Sequence, residues 1–463
     1  LAIIMKKITE VKVKEINKNR FNIYMLFTRH PFINHIAKEI GYYSNENNSI
    51  LGVLLLDNYD NDYNYVLMAR DENKQFRAFE VKHSFKTKEE AVNTLTNSIK
   101  WHTSQNIDIV EQGASKKGLE LFKIVVSQEK LHPYFVRLNN DKGLKASKNA
   151  IVEISNHLDD IDGNFIEQFQ SLNGFDARIW EIYLFASLIE SHFEIIRDYN
   201  RPDFLVKKYD IEIGIEATIV NRKNNPPKYL FHDDSVITSS EIKEKLENET
   251  PLRFGSALFS KLSKEYWKLE HLQNKPLVFA IADFHDNASM TWSFTALVEY
   301  LYGKKDILKT DKNGKEKVET IIVEDYVKET GAKIPSGFFL QENTENISGI
   351  LFSSTGTLGK FTRMGIEAGF RDKGQVVVKV GDKYDPKPNS FKPISFMYTV
   401  DENGNETWSQ GLNLFHNPNA KFPIDVDLFP NIAHHKQEGD ELISWVPEFH
   451  PFSSMNFNTI VKD

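Results

Sequence analysis

Asp203 precedes one short apolar stretch, 204–206 (FLV), and Glu216 lies within the next, 211–220 (IEIGIEATIV), while Glu181 sits upstream in an apolar helical pattern. Hard divalent cations choose oxygen donors, typically one or two carboxylates with carbonyls, waters and substrate phosphate. Magnesium, or manganese as its substitute, supplies what phosphodiester hydrolysis needs at neutral pH: a water made more acidic, and charge to offset the phosphorane and the leaving oxygen. Taken singly, Asp203 starts a turn after Pro202 and Glu216 lies on a solvated edge strand. Joined by the upstream helix, they read as a cation site.

Such side chains need elements that bring them together. Trp180, Leu184, Ser187, Leu188 and Phe193 recur at helical spacing, which predicts a largely buried helix that carries Glu181 and stops near 197–200. Pro202 drives the residue before it out of helical geometry, and 204–206 reads as a short strand. In 211–220 the apolar residues fall on odd positions, so Glu212, Glu216 and Thr218 share one face, and Ile211, Ile213, Ile215 and Ile219 share the other, the expected core face. A hairpin between the two strands sets Asp203 near Glu216. Helices are expected at 241–247 and 253–269, the second carrying Lys261 and Lys264 beside an apolar face of Leu258, Leu262 and Trp267. The uninterrupted apolar run 277–282 (LVFAIA) reads as a strand buried on both faces.

The resulting order is Trp180-Glu181 in an apolar helix, Arg201-Pro202-Asp203-Phe204 before a strand, Glu216-Ala217-Thr218 in the next, and a basic helix leading to a buried strand. It resembles the PD-(D/E)xK nuclease superfamily, the restriction-endonuclease-like fold, over residues 176–285, with 350–352 completing the sheet. The resemblance implies that Asp203 and Glu216 bind Mg2+ (or Mn2+), that Glu181 completes or orients the site, and that the substrate is DNA, with RNA not excluded. Thr218 stands where that family usually has lysine. The lysine positions a water and offsets charge in the transition state, whereas threonine offers a hydrogen bond without a charge. Lys261 is the candidate replacement, and Lys223 a weaker one. The leading expectation is therefore a metal-dependent DNA endonuclease, with defence against foreign DNA as its role. The alternative is a nuclease fold without chemistry that acts as a nucleic-acid-binding or scaffold module. A third reading places an unrelated site in the C-terminal region. Dimerisation is left open, since cutting both strands takes two sites or two events.

A net charge of -8 argues against coating nucleic acid by bulk electrostatics, so contacts must be local. The candidates are Arg222, Lys223, Lys264, Lys360 and Arg363, each also readable as a solvated charge. The segment 353–360 (SSTGTLGK) follows a strand but does not match GxxxxGK[ST]; its amides can still serve a phosphate. Asp283-Phe284-His285-Asp286 ends the buried strand and either reaches the cleft or simply turns the chain. His434-His435 lack zinc spacing and read as surface residues.

The absence of cysteine excludes disulfides, a thiolate nucleophile and cysteine-bound zinc, and fits a reducing cytoplasm. The opening apolar run is too short to span a bilayer, and no export signal is read there. At 463 residues two to four folding units are expected. These are an N-terminal α+β accessory domain at 1–145, a mixed α/β sheet flanked by helices at 146–370 with an insert near 303–345, and a C-terminal strand and loop region at 371–463. In the first, 22–27, 50–56 and 65–69 read as strands and about 88–101 as a helix; in the last, 375–380 and 395–400 read as strands.

Overall fold

Short apolar runs carry no period of their own, and the first of them folds against expectation. In the computed structural model, which describes residues 11–461 apart from 31, 108, 112–115, 223–237, 287, 311, 313, 315, 329, 388, 389 and 391, the stretch 22–27 is largely helical. After β1 (Val13–Glu15), Asn17 accepts a hydrogen bond from the Arg20 N–H at 2.7 Å and starts α1 (Lys18–Met25), as N-capping side chains do. Phe21, Tyr24 and Met25 then enter the main core. A short helix, α2 (Ile33–Ile36), leads to β2 (Ala37–Asn45), β3 (Ile50–Asp57), β4 (Tyr63–Arg70) and β5 (Phe76–Phe85). Together with β1 they form an antiparallel sheet in sequential order. The turn between β4 and β5 is closed by Asp71, whose Oδ1 accepts from the Asn73 N–H at 2.9 Å. Helix α3 (Lys88–Ser104) lays Ala91, Leu95 and Ile99 on Leu54, Tyr65 and Leu67 of that sheet.

The middle of the chain builds the layer that positions the site. Helices α4 (Pro133–Asn140), α5 (Lys145–Ser155), α6 (Phe165–Gln170) and α7 (Phe175–Glu190) precede β6 (Glu194–Ile196), β7 (Phe204–Lys208) and β8 (Ile211–Val220). Then come α8 (Ser239–Glu247), α9 (Glu249–Leu262), β9 (Leu277–Asp283) and α10 (Phe294–Tyr302). The insert holds two hairpins, β10 (Lys304–Thr310) with β11 (Glu316–Ile322), and β12 (Asp325–Val327) with β13 (Lys333–Pro335). β14 (Gly349–Ser353) and α11 (Leu358–Glu367) follow. α7 packs Trp180, Tyr183 and Leu184 onto one face of the sheet, where the Trp180 indole N–H donates to the Ala280 carbonyl at 3.0 Å. α9 covers the other face with Phe254, Leu258 and Leu262. Each such side chain contributes about 1.5–3 kcal/mol by leaving water. Both faces of β8 are covered, so Glu216 does not lie on a solvated edge: Ile213 and Ile215 face one core, and Glu216 on the other side is only 5% exposed.

The C-terminal segment is not a separate unit. β15 (Gln375–Lys383), β16 (Ile394–Thr399) and β20 (Pro451–Ile460) make a small antiparallel sheet, but β17 (Leu412–His416), β18 (Ala433–Glu438) and β19 (Glu441–Trp445) extend the central one. The eight strands of that mixed sheet run β19-β18-β17-β14-β9-β8-β7-β6. Leu351 pairs with Leu414, and Leu412, Leu414 and Phe415 join the two cores already described.

Two readings of charged residues are corrected here. Lys360 and Arg363 do not face a partner: α11 turns both inward, where they and Lys379 surround Glu406. Arg363 grips that carboxylate with Nε at 2.7 Å and Nη2 at 2.8 Å; Lys360 lies at 2.7 Å and Lys379 at 3.2 Å. Burial alone would raise the Glu406 carboxyl, but the three cations, Arg363 foremost, hold it well below the usual carboxylate range. His434 and His435 are likewise interior, because β18 is hydrogen-bonded into the sheet. His434 Nδ1 lies 2.9 Å from His416 Nε2, and Asn413 Oδ1 lies 3.1 Å from His435 Nε2 and 3.2 Å from His450 Nε2.

Two outcomes follow from these clusters. Glu406→Ala leaves three buried cations without their anion and should destabilise the fold by about 3–5 kcal/mol in urea denaturation. Burial pushes His416 and His450 down to about 3, so the unfolded chain takes up protons below its ordinary histidine value near 6.5 while the fold refuses them. Stability is then complete at neutral pH and falls as pH drops from 6.5 towards 3, by up to about 1.4 kcal/mol per pH unit for each of these histidines. His450→Phe should flatten that slope in urea titrations at pH 7, 6 and 5.

Candidate functional site: three carboxylates on neighbouring elements

Register brings the two expected acids together. Phe204 pairs with Ile215 across the β7–β8 hairpin, so Asp203, one residue before β7, falls opposite Glu216. The Ala217 N–H donates to Asp203 Oδ2 at 2.7 Å, and the Asp203 N–H donates to Glu216 Oε2 at 3.3 Å. The other Glu216 oxygen, Oε1, receives Lys261 Nζ and the Tyr266 hydroxyl, both at 2.5 Å. Lys261 comes from the last turn of α9. Tyr266 follows at once because Glu265 takes a left-handed conformation, φ 50°, which folds the chain back over the sheet.

Glu181 approaches from α7. Arg178, one turn earlier, donates Nη1 to its Oε2 at 2.5 Å and is itself fixed by Gln168 Oε1, which accepts Nε at 3.0 Å and Nη2 at 2.5 Å. The guanidinium also lies 4.6 Å from the centre of the Phe165 ring, within cation–π range. Glu181, Asp203, Arg178, Arg197 and Asn200 line one narrow cavity of about 60 Å³. Asp203 stays open at its mouth while Glu216 is covered.

Charge is not balanced there. The surrounding protein, and then the Glu181 and Glu216 carboxylates, raise the Asp203 carboxyl well above its usual range, against the pull of Lys261 and the Ala217 N–H. Glu181 is also raised, first by burial, with Glu216 adding to it and Arg178 and Lys261 opposing. The Tyr266 phenol is pushed up by burial and by its bond to Glu216. Three carboxylates thus face one ammonium and one guanidinium, a surplus of negative charge set in oxygen donors that suit a hard cation. Each carboxylate has a protein donor, and among the described residues no three acidic or imidazole groups close on one point as a finished cage. The donor set fits such a cation in kind, with Asp203 as its open member.

The remaining candidates separate. Thr218 is half-buried two residues beyond Glu216, on the same side of β8, and pairs with Ile281 of β9. Arg222, just past β8, donates Nε to Asp176 Oδ2 at 2.9 Å and sits 5.4 Å from the Tyr134 ring, so its charge is matched within the protein. Lys264 is exposed just past α9, and Lys223 lies outside the described residues. Arg178, Gln168 and Tyr266 were missed from sequence. The spacing of Arg178 three residues before Glu181 was a readable signal; Tyr266 had none, because its placement depends on the left-handed turn before it.

Tyr266→Phe should remove a buried donor from Glu216 and cost about 1–2 kcal/mol in urea denaturation, with far-UV circular dichroism unchanged. An unaltered midpoint would mean that the phenol does not hold the carboxylate.

Among the described residues no helix is long and apolar enough to cross a membrane. No family model, no curated protein and no solved structure matches the chain.

Proposed function

We propose that the chain is a magnesium-dependent nuclease of the restriction-endonuclease-like kind that hydrolyses phosphodiester bonds of DNA in a reducing cytoplasm. The observation that carries this reading is the convergence of Asp203 and Glu216 on adjacent antiparallel strands, with Glu181 from the preceding helix and Lys261 from the following one. The element order supports it: a helix, three antiparallel strands, two helices, and a strand parallel to the third.

Asp203 and Glu216 would hold the cation, with Glu181 completing or orienting the set. When bound, a divalent cation lowers the pKa of a water and offsets charge on the scissile phosphate. The chain's own residues do the rest. Lys261 brings to Glu216 the positive charge that Thr218 lacks, and the Thr218 hydroxyl remains able to hydrogen-bond a water. The Ala217 N–H and the Tyr266 hydroxyl fix the directions of the two strand carboxylates, and Arg178 fixes that of Glu181. Exposed Lys264 beside this site is a contact for the sugar–phosphate backbone.

The Lys261–Glu216 ion pair also favours a second reading, in which the ammonium stands in for the cation and the fold binds nucleic acid without cutting it. One experiment separates the two. Purified protein is incubated with supercoiled plasmid, linear duplex and single-stranded RNA in Mg2+ or Mn2+, and its thermal midpoint is followed as Mn2+ is added. Nicking of DNA, a midpoint raised by manganese, and a loss of at least about a hundredfold in rate for the Asp203→Ala, Glu216→Ala double variant are expected. Lys261→Ala should lower cleavage far more than it lowers the manganese-induced shift. Intact substrates together with a midpoint indifferent to manganese would overturn the nuclease proposal and leave the binding module.

A further inference from the structure

Four segments distant in sequence meet around a second cavity, on the side of the N-terminal sheet. They are the turn 46–49 (ENNS) between β2 and β3, Arg70 at the end of β4, the first two turns of α5, and the residues 369–371 (GFR) that follow α11. The space is about 340 Å³, and no aspartate or glutamate lines it. Arg70, Lys145 and Arg371 do, in a chain whose net charge is -8. None of its residues borders the carboxylate cavity.

The three cations are not equally engaged. Arg70 gives Nη2 and Nη1 to Glu153 at 2.6 and 3.1 Å and lies 4.2 Å from the centre of the Phe76 ring, so its place is fixed and its charge offset. Lys145 is exposed and 3.5 Å from Asp372, a solvated pair of small worth. Arg371 is exposed and has no carboxylate partner among the described residues. Two carboxamides add donors. Asn48, held left-handed at φ 56°, accepts at Oδ1 from the Ser44 hydroxyl at 3.2 Å and from Arg20 Nη2 at 3.3 Å, which leaves its Nδ2 for the cavity. Asn149, half-buried on α5, has no side-chain partner among the described residues. Behind the floor, buried Arg20 lies against Gly369 and is paired with Glu402. With those pairs set aside, Arg371 is a positive charge left over, surrounded by donors.

We infer that this cavity binds a nucleotide by its phosphate, with Arg371 and Lys145 on the phosphate oxygens, the Asn48 and Asn149 amides donating beside them, and the base against Phe370. The guanidinium fork matches phosphate oxygens two at a time. A phosphate alone fills little of this space, whose volume falls in the range of small-molecule sites. Tyr24 and Phe370, packed edge to face with centroids 5.4 Å apart, supply the apolar wall that a base covers. A lining without acids disfavours a cation. The occupant joins the β2–β3 turn to α5 and to the end of α11, and it binds whether or not the carboxylate site cuts.

Calorimetry in EDTA, where hydrolysis is silent, tests this with adenosine and uridine monophosphates, the two nucleosides, inorganic phosphate, and a thymidylate octamer phosphorylated at its end. Binding by a monophosphate or the octamer is expected, at least tenfold tighter than by the nucleosides or inorganic phosphate. Arg371→Gln should weaken it tenfold or more and lower the slope of log affinity against log salt by about one. The thermal midpoint without ligand should stay put, because that side chain is exposed and unpaired. Lys145→Gln should act in the same direction. An octamer that binds more tightly than the monophosphates identifies a polynucleotide as the occupant, and the reverse identifies a free nucleotide. No binding by any phosphate-bearing probe at millimolar concentration, nucleosides or inorganic phosphate binding as tightly as the monophosphates, or full affinity in the Arg371→Gln, Lys145→Gln double variant would overturn the proposal. None of these outcomes bears on cleavage at Asp203 and Glu216.

Discussion

A carboxylate cannot be left in a protein interior without donors, and Glu216 stands in a strand covered by helices on both faces. That constraint organises everything around it. Lys261 and Tyr266 reach one of its oxygens, and the Asp203 main chain reaches the other. The left-handed turn at Glu265, the end of α9 and the hairpin between β7 and β8 are each arranged so that these donors arrive. Because Asp203 is tied in return to the Ala217 amide, the two strands share their acids as well as their ladder.

The same logic recurs at Glu406, with the proportions reversed. There one carboxylate serves three cations, all interior. It joins the loop before β17 to α11 and β15, so the last hundred residues are tied to the centre by charge as well as by β17 adding to β14. A buried ion cluster is weak evidence for extra stability. Its effect is to fix which segment packs where.

Much of the arrangement near Asp203 was legible because the signals are local. The alternation in 211–220, the unbroken run 277–282 and the helical recurrence around Trp180 each set an element, and the hairpin between neighbouring strands then placed Asp203 beside Glu216. What failed was non-local. Taken alone, Glu216 reads as lying on a solvated edge strand, because the helix that covers it lies some forty residues on. Lys360 and Arg363 looked like surface charges because their counter-ion, Glu406, is far along the chain and nothing near them announces it. His434 and His435 looked exposed for the same reason, their burial being decided by the pairing of β18 with β17. The run 22–27 reads as a strand because six apolar-rich residues fit either period, and the cap at Asn17 decides for the helix.

Exposure divides the two strand acids more sharply than position does. Glu216 is roofed by α9 and the turn after it, whereas Asp203 stands at the mouth of a narrow opening bordered by Arg178, Arg197 and Asn200. Traffic is therefore one-sided. From outside, Asp203 is met first, while Glu216 lies behind Lys261 and Tyr266, which hold its Oε1.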